Sequence, residues 1–384
     1  MRRPDVAERP ALSVLLAAEQ LRRRVPGGIG AYARGLLGGL AVADTEGDGV
    51  EVALLASRPP GGAADPLAAF GRPLHTSRLP GRLLTRAWDH GLTRAPAGFD
   101  VVHSVSLASP QLRRSSSERL VVTVHDVAWH RYPEATTRRG ARWHEAALRR
   151  ASGSDAALVV PSRLVAADLT AMGIADGRIT VVPSGADHLP APDAGAADVL
   201  LRQVGVAGEF LLTVGTLEPR KNVDRLVRAF AQVRDSLPGP WPLVIVGPAG
   251  WGPEPPVPRA DDHVVFTGPV PDIVLSDMYR RARAFAYVPL TEGYGLPPLE
   301  AMLVGIPTVV SDEVPSVRDL GAVGPAPARI VDPLDIADIA GGLADILTDD
   351  VMRADLTSRG AAYASTRTWR AAARSHIELW RSLR

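Results

Sequence analysis

Short apolar runs alternate with amphipathic stretches twice along this chain, and a segment with neither character separates the two series. In the first series, residues 12–17, 50–56, 101–103, 120–124, 157–160 and 179–182 read as strands, with helices over 29–42, 135–150 and 162–172. In the second, 210–214, 243–246, 264–267, 285–288, 308–310 and 329–331 read as strands, with helices over 223–236, 273–283, 297–304 and 335–347. This alternation belongs to doubly wound parallel sheets, so the predicted class is α/β with two tandem Rossmann-like domains and a cleft between them. A length of 384 residues independently favours two cores over one. The segment 188–197 is rich in Pro, Gly and Ala. The expected layout is a first domain over 1–186, a linker over 187–207, a second domain over 208–366, and a closing helix over 367–384 that packs back on the first domain.

Open sheets of this kind bind ligands outside the carboxyl ends of their strands, so the strand-to-helix turns carry the chemistry. One of them reads Glu292-Gly293-Tyr294-Gly295-Leu296-Pro297-Pro298-Leu299-Glu300. The apolar run before it is strand-like, and proline suits the first helical position after it. The turn therefore offers unpaired N–H groups and the positive end of a helix dipole, which bind phosphate. Two carboxylates beside that site would repel a bare phosphate and instead accept hydrogen bonds from hydroxyls on either side of it. A nucleotide sugar has this order of groups. A plain reading also stands at this stage: Glu near a helix start suits the dipole or a capping box, and Gly-Tyr-Gly can be only a tight turn.

A second such turn is Gly215-Thr216-Leu217-Glu218-Pro219-Arg220-Lys221-Asn222. Of 43 basic side chains 42 are arginine, so the one lysine, Lys221, stands between a strand and a helix, where a compact charge suits phosphate. Chance placement is the alternative. In the first half, Pro26-Gly27-Gly28-Ile29-Gly30 opens a helix without the Gly-x-Gly-x-x-Gly spacing of a dinucleotide site, which disfavours a nicotinamide enzyme. Its glycines fit close approach to a ligand or a plain turn. His125-Asp126 closes the strand begun at Val121, a position suited to contacting sugar hydroxyls, although a lone histidine is often structural. Asp261-Asp262 lacks the spacing of an Asp-x-Asp metal pair and reads as a solvated turn. No spacing of histidines indicates a metal site, and cysteine is absent, which removes thiolate chemistry.

Charge is nearly balanced at +1 overall but divides into +7 over residues 1–185 and −6 over the rest. The basic half leaves room for peripheral contact with an anionic membrane or an acidic acceptor. No basic run is interleaved with stacking aromatics, so nucleic acid is not an expected partner. No apolar run reaches the ~20 residues of a membrane span, and Met1-Arg2-Arg3-Pro4-Asp5 lacks the apolar core of a signal peptide. A soluble, cytoplasmic protein is expected.

The segment 292–300 and its continuation Ala301 to Ser311 resemble the E-x7-E region of retaining GT-B glycosyltransferases, the glycosyl transferases group 1 of family four. The Lys221 segment, Val246-Gly247-Pro248-Ala249-Gly250-Trp251, Phe266-Thr267-Gly268-Pro269-Val270 and Val182-Pro183-Ser184-Gly185 are similar to segments of its bacterial members. The resemblance covers nearly the whole chain and is more specific in the second half. It implies a metal-independent hexosyltransferase with no cofactor beyond its nucleotide-sugar co-substrate. Glu292 would meet donor-sugar hydroxyls, Glu300 the ribose, and the backbone of Gly293, Tyr294, Gly295 and Leu296 the diphosphate and sugar. Arg220 and Lys221 would neutralise the diphosphate, Val270 would meet the base, Gly28 would approach phosphate from the first domain, and His125 would lie near the sugar. Many relatives carry arginine where this chain has Thr216, itself expected among the donor contacts, so Arg220 would supply that charge from another position. Similarity to mannosyl- and rhamnosyltransferases favours GDP-mannose as donor, with a saccharide, lipid-linked or natural-product acceptor. A nonhydrolysing sugar-nucleotide epimerase is the alternative enzyme of this architecture, and a noncatalytic nucleotide-sugar module the alternative outside enzymes.

Overall fold

The computed structural model describes residues 11–384 apart from 24, 48–49, 60, 62–63, 114–116, 253–261 and 320–324. Its first sheet contains β1 (Leu12–Ala17), β2 (Val50–Ala56), β3 (Leu74–Thr76), β4 (Val101–Ser104), β5 (Arg119–Thr123), β6 (Ala157–Val160) and β7 (Ile179–Val181), paired in the order β3-β2-β1-β4-β5-β6-β7. The second contains β8 (Leu211–Val214), β9 (Leu243–Val246), β10 (Val264–Gly268), β11 (Ala284–Tyr287), β12 (Thr308–Ser311) and β13 (Arg329–Val331), ordered β10-β9-β8-β11-β12-β13. Every strand pairing is parallel. Two Rossmann-like sheets of the GT-B type are therefore present. The strand order reverses between β1 and β4 in one sheet and between β8 and β11 in the other, and at such switch points crevices open for ligands.

Central strands are apolar on both faces because helices cover both: Val14, Leu15 and Leu16 are all fully buried, as are Phe285 and Ala286. The edge strand β3 is missing from the sequence reading because all three of its residues are exposed and no apolar pattern marks it. The helix Gly81–Asp89 was also missed, although it buries Leu84, Ala87 and Trp88. The helix expected over 135–150 begins later, at Arg138, where Thr137 caps it by accepting from the Gly140 N–H at 3.1 Å. Within the segment read as a linker, Asp198–Gln203 is a short helix. Ala197 N–H donates to Asp277 Oδ2 at 3.0 Å and Leu201 enters the second core, so this stretch is packed.

The closing helix Trp369–Ser382 joins the core of the first sheet through Trp369, Ala372, Ala373, Ile377 and Trp380. It also brings His376 into a buried hydrogen-bond chain. A carbonyl can only accept, so His376 Nδ1–H donates to Ala372 O (2.7 Å) and Nε2 accepts from Tyr32 OH (2.8 Å). Tyr32 in turn accepts from Thr123 Oγ1 (3.2 Å), which accepts from His103 Nε2–H (2.9 Å). His376 must be neutral for this chain to hold, because only then does its Nε2 accept. Burial pulls His376 down to about 4 and His103 well below its usual value, with His376 and His125 adding to the latter.

A histidine neutral in the fold and protonated when unfolded contributes nothing against folding above about 6.5. It costs stability increasingly as pH falls from there toward 4. At about 1.4 kcal/mol per unit, His376 alone removes on the order of 3 kcal/mol at the acid end. Thermal melts should show the melting temperature falling between pH 7 and pH 4.5, with a shallower fall for His376→Gln; equal slopes would remove His376 as the cause.

Candidate functional site

The loops following β8 and β11, the pair at the second switch point, are the Lys221 and Glu292 segments. In the first, Pro219–Lys221 forms a single 3-10 turn, and Asn222 caps the helix Val223–Val233 from the left-handed region (φ 59°). Asn222 Nδ2 donates to Val288 O (2.9 Å) and Pro333 O (2.7 Å), and Leu290 N–H donates to Arg220 O (2.7 Å), so the two loops are fastened together. In the second, Gly295 (φ 94°) turns the chain into the helix Leu296–Leu303, with Pro297 in its first turn.

Three donors meet on one carboxylate oxygen. Arg220 Nη1 (2.7 Å), Tyr287 OH (2.9 Å) and Lys221 Nζ all reach Glu292 Oε1, and none of them reaches Oε2. Lys221 also donates to Tyr287 OH at 2.6 Å, and Arg220 Nε pairs with Glu218 Oε1 at 2.5 Å. Burial alone would raise Glu292, but Arg220 and Lys221 outweigh it and hold the carboxyl below its usual range. Lys221 is pulled down, by burial first and by Arg220 second, while Arg220 is pushed up because Glu292, Asp126 and Glu218 overcome its burial. Glu218 is raised, mainly by burial. The cluster thus holds two cations and an acid favoured in its ionised form, each largely out of water, and fixed charges act more strongly on a ligand there than in bulk solvent.

Glu300, on the helix after the turn, accepts from Tyr279 OH at Oε2 (2.9 Å) and faces His188 Nε2 at Oε1 (3.4 Å). Burial pushes it up against the opposing influence of His188 and Tyr279. The two glutamates therefore occupy different electrostatic settings.

The 293–295 turn presses against the first half. A side chain at Gly293 would lie 1.8 Å from His125 O, and the Gly293 carbonyl accepts from Ser162 Oγ at 2.7 Å. Tyr294 OH donates to Ser184 O at 2.9 Å, and Leu296 packs against the cores of both sheets. His125 Nε2–H donates to Val105 O (2.7 Å), just beyond β4, and its ring meets Tyr32 edge-on at 4.7 Å. Burial lowers its pKa, so the neutral ring has Nδ1 as an acceptor.

One cavity of about 670 Å³ gathers these groups from both halves. Glu292, Gly293, Tyr294, Gly295, Leu296 and Glu300 line it with Arg220, Lys221, Thr216 and Val270. His125 and Gly28 line it from the first half, Gly28 standing in the first turn of the helix Gly27–Thr45, where backbone N–H groups lack intrahelical partners. Every residue singled out from the sequence for the site thus lines one space. Asp262 does not; it pairs with Arg234, and Asp261 lies outside the described residues. Sequence reasoning missed Tyr287, Tyr279, Ser162 and His188. Tyr287 lay in the strand read over 285–288, Tyr279 in the helix read over 273–283, and His188 in the segment read as a linker. Among the described residues no helix is long and apolar enough to cross a membrane.

Comparison with known proteins agrees with this arrangement. Residues 206–363 match the family model described as glycosyl transferases group 1, and residues 26–188 match that of glycosyltransferase family 4. The chain is 30% identical over 260 residues to O-antigen chain mannosyltransferase B of Escherichia coli, covering 66% of this chain and 67% of that protein. It is 31% identical over 339 residues to D-inositol 3-phosphate glycosyltransferase of Acidothermus cellulolyticus, covering 80% of this chain and 72% of the other. Sucrose-phosphate synthase from Thermosynechococcus elongatus shares the fold, with a TM-score of 0.71 at 20% identity over 97% of this chain and 99% of its own. These matches set aside the epimerase and the noncatalytic module. The chain belongs to the GT-B glycosyltransferases, with a family 4 first half and a group 1 second half, and is a hexosyltransferase.

Proposed function

We propose that this enzyme moves mannose from GDP-mannose to a saccharide acceptor, with retention of anomeric configuration and without a divalent metal. The observation that carries the reading is the convergence of Arg220 and Lys221 on Glu292 beside the 293–295 turn, facing the helix that starts at Gly27. The bond between the anomeric carbon and the diphosphate breaks, and negative charge grows on the leaving oxygen. Arg220, Lys221 and the N-terminus of the helix Leu296–Leu303 stabilise that charge, the work a metal does elsewhere. Arg220 supplies the cation that many relatives place where Thr216 stands.

The acceptor oxygen attacks from the face the diphosphate is leaving, and its proton passes to the departing phosphate oxygen. Glu292 positions the sugar and favours the developing positive charge; its Oε2, which takes none of the three bonds to its neighbours, accepts from a sugar hydroxyl. Glu300 holds the ribose, Val270 meets the base through its backbone, and His125 contacts the sugar. The choice of mannose rests on the Escherichia coli mannosyltransferase at 30% identity.

A thermal-shift series with GDP, UDP, dTDP and their hexose conjugates tests the donor. GDP-mannose at a hundredfold excess over its Kd should contribute about 2.7 kcal/mol and raise the melting temperature by several degrees. A larger shift with a UDP- or dTDP-sugar replaces the donor, and no shift with any nucleotide overturns the whole reading.

A further inference from the structure

The chain passes between the two halves over residues 184–190 and again over 365–369, and the two crossings are tied to each other. Ala186 N–H donates to Arg367 O at 2.9 Å, and Trp369 N–H donates to Asp187 Oδ1 at 2.7 Å. A side chain at Gly185 would lie 2.1 Å from Trp369 N, so the crossings touch backbone to backbone. Beyond His188, Pro190 O accepts from Ser276 Oγ at 2.7 Å, and Ser276 stands on the helix Asp272–Arg281 of the second half. His188 is therefore pinned on one side to the start of the closing helix and on the other to the second half.

From this crossing its ring reaches Glu300. The two side chains are 5% and 7% exposed, Nε2 lies 3.4 Å from Glu300 Oε1, and both residues line the cavity. The Trp369 ring meets the imidazole nearly at right angles, with 6.1 Å between centroids. Nδ1 is buried without a hydrogen-bond partner. A hydrogen placed there in the neutral ring would be an unpaired buried donor and would leave the Nε2 lone pair facing a carboxyl oxygen, so the hydrogen belongs on Nε2.

A separation of 3.4 Å is longer than the roughly 2.7–3.2 Å of a formed N–H···O bond, so His188 addresses Oε1 without using it up. Oε2 takes one bond, from Tyr279 OH at 2.9 Å. Burial raises the Glu300 carboxyl; His188 opposes this first and Tyr279 second, while Asp272, which faces Arg34 at 3.6 Å, adds to the rise. A carboxylate flanked at both oxygens, by Tyr279 from a helix and by His188 from the crossing, loses rotation about its last bond. A fixed carboxylate plane suits two neighbouring hydroxyls of one ring, because the cost of orienting it is met before the ligand arrives. We propose that His188 is a positioning residue, which sets the plane of the Glu300 carboxylate from the crossing between the halves so that both oxygens meet the 2′- and 3′-hydroxyls of a ribonucleotide. This rests on the reading of Glu300 as the ribose contact and adds the residue that fixes its geometry. It also ties ribose binding to the packing of the two crossings, since they hold His188.

Calorimetric titration of the full-length enzyme with GDP and 2′-deoxy-GDP, and with UDP and 2′-deoxy-UDP, tests both steps. Wild-type enzyme should bind the ribonucleotide of its preferred pair about tenfold or more tightly than the deoxy form, the worth of one hydrogen bond to a charged group. His188→Leu, which keeps bulk against Trp369 and removes both nitrogens, should weaken the ribonucleotide about fivefold or more and bring that ratio to about threefold or less. His188→Gln, whose amide nitrogen donates from about the reach of Nε2, should restore the ratio to within about twofold of wild type. In turnover with the nucleotide sugar, His188→Leu should raise the donor KM and leave kcat within about threefold of wild type. Should His188→Leu fail to fold by circular dichroism, His188→Asn, whose amide stops short of Glu300, takes its place with the same expectations. No binding of either pair, or a wild-type ratio near one, overturns the reading of the donor site and this proposal with it. With wild-type discrimination intact, an unchanged ratio in His188→Leu, a ratio that His188→Gln fails to restore, or a loss of kcat without a rise in donor KM overturns the role of His188 alone.

Discussion

Replacing Lys221 with alanine is expected to lower kcat by about 10²–10³ while leaving the fold intact. The size follows from the loss of a fixed charge that acts on an oxyanion only as it develops. The Lys221 side chain is only 13% exposed, so its charge acts largely through protein, and removing it leaves no orphaned partner. Glu292 keeps Arg220 at 2.7 Å and Tyr287 at 2.9 Å, so the melting temperature should move little. An arginine at this position should rescue poorly. Its planar fork cannot reproduce a point charge that bonds Glu292 and Tyr287 together in this space, and Arg220 already crowds the same oxygen. Steady-state assays of donor consumption, with circular dichroism as the check on folding, decide the matter. Turnover within threefold of wild type would remove Lys221 from the chemistry.

The sequence disclosed most of this site because its signals are local. A strand, a glycine-bearing turn, a proline and a helix follow one another within a dozen residues, and the carboxylates are placed by that turn. The same holds for Lys221. What could not be read depends on which strands become neighbours. Tyr287 looks like any aromatic near the end of a buried strand, and only the adjacency of β8 and β11 brings Lys221 onto its hydroxyl. His188 sat in a Pro- and Gly-rich stretch with no periodicity, and only packing turns it toward Glu300. Strand β3 was invisible for the opposite reason: its residues are exposed, so burial left no mark on their sequence.

The two glutamates show how the structure sharpens a motif. Spacing alone allowed a pair of equivalent acids. Instead burial dominates at Glu300, which is pushed up despite its tyrosine and histidine neighbours, whereas two cations hold Glu292 down. A carboxylate favoured in its ionised form suits the proposed role beside a sugar carbon that gains positive charge. A carboxyl that is less readily ionised suits one that exchanges hydrogen bonds with hydroxyls.

Gly293→Ala should be as damaging as the loss of Lys221, by a different route. The added methyl would lie 1.8 Å from His125 O, 2.7 Å from its carbonyl carbon and 2.8 Å from Asp126 Cβ. Two of these atoms are backbone and cannot swing aside, so the turn and the His125 segment must separate by roughly an ångström or more. Displacements of that size near reacting groups cost about a hundredfold in rate. The hydrogen bond from Ser162 Oγ to Gly293 O, at 2.7 Å, resists the separation and would be stretched or lost. Ser162→Ala is the informative companion, because it removes this bond and a helix cap without adding bulk. It should cost about 1–2 kcal/mol of stability and only a few-fold in turnover. If kcat/KM for Gly293→Ala falls a hundredfold or more and that of Ser162→Ala falls less than tenfold, close approach of the two halves at this glycine is what the reaction requires. Near-normal turnover in Gly293→Ala would mean that the enzyme works with the turn and His125 apart.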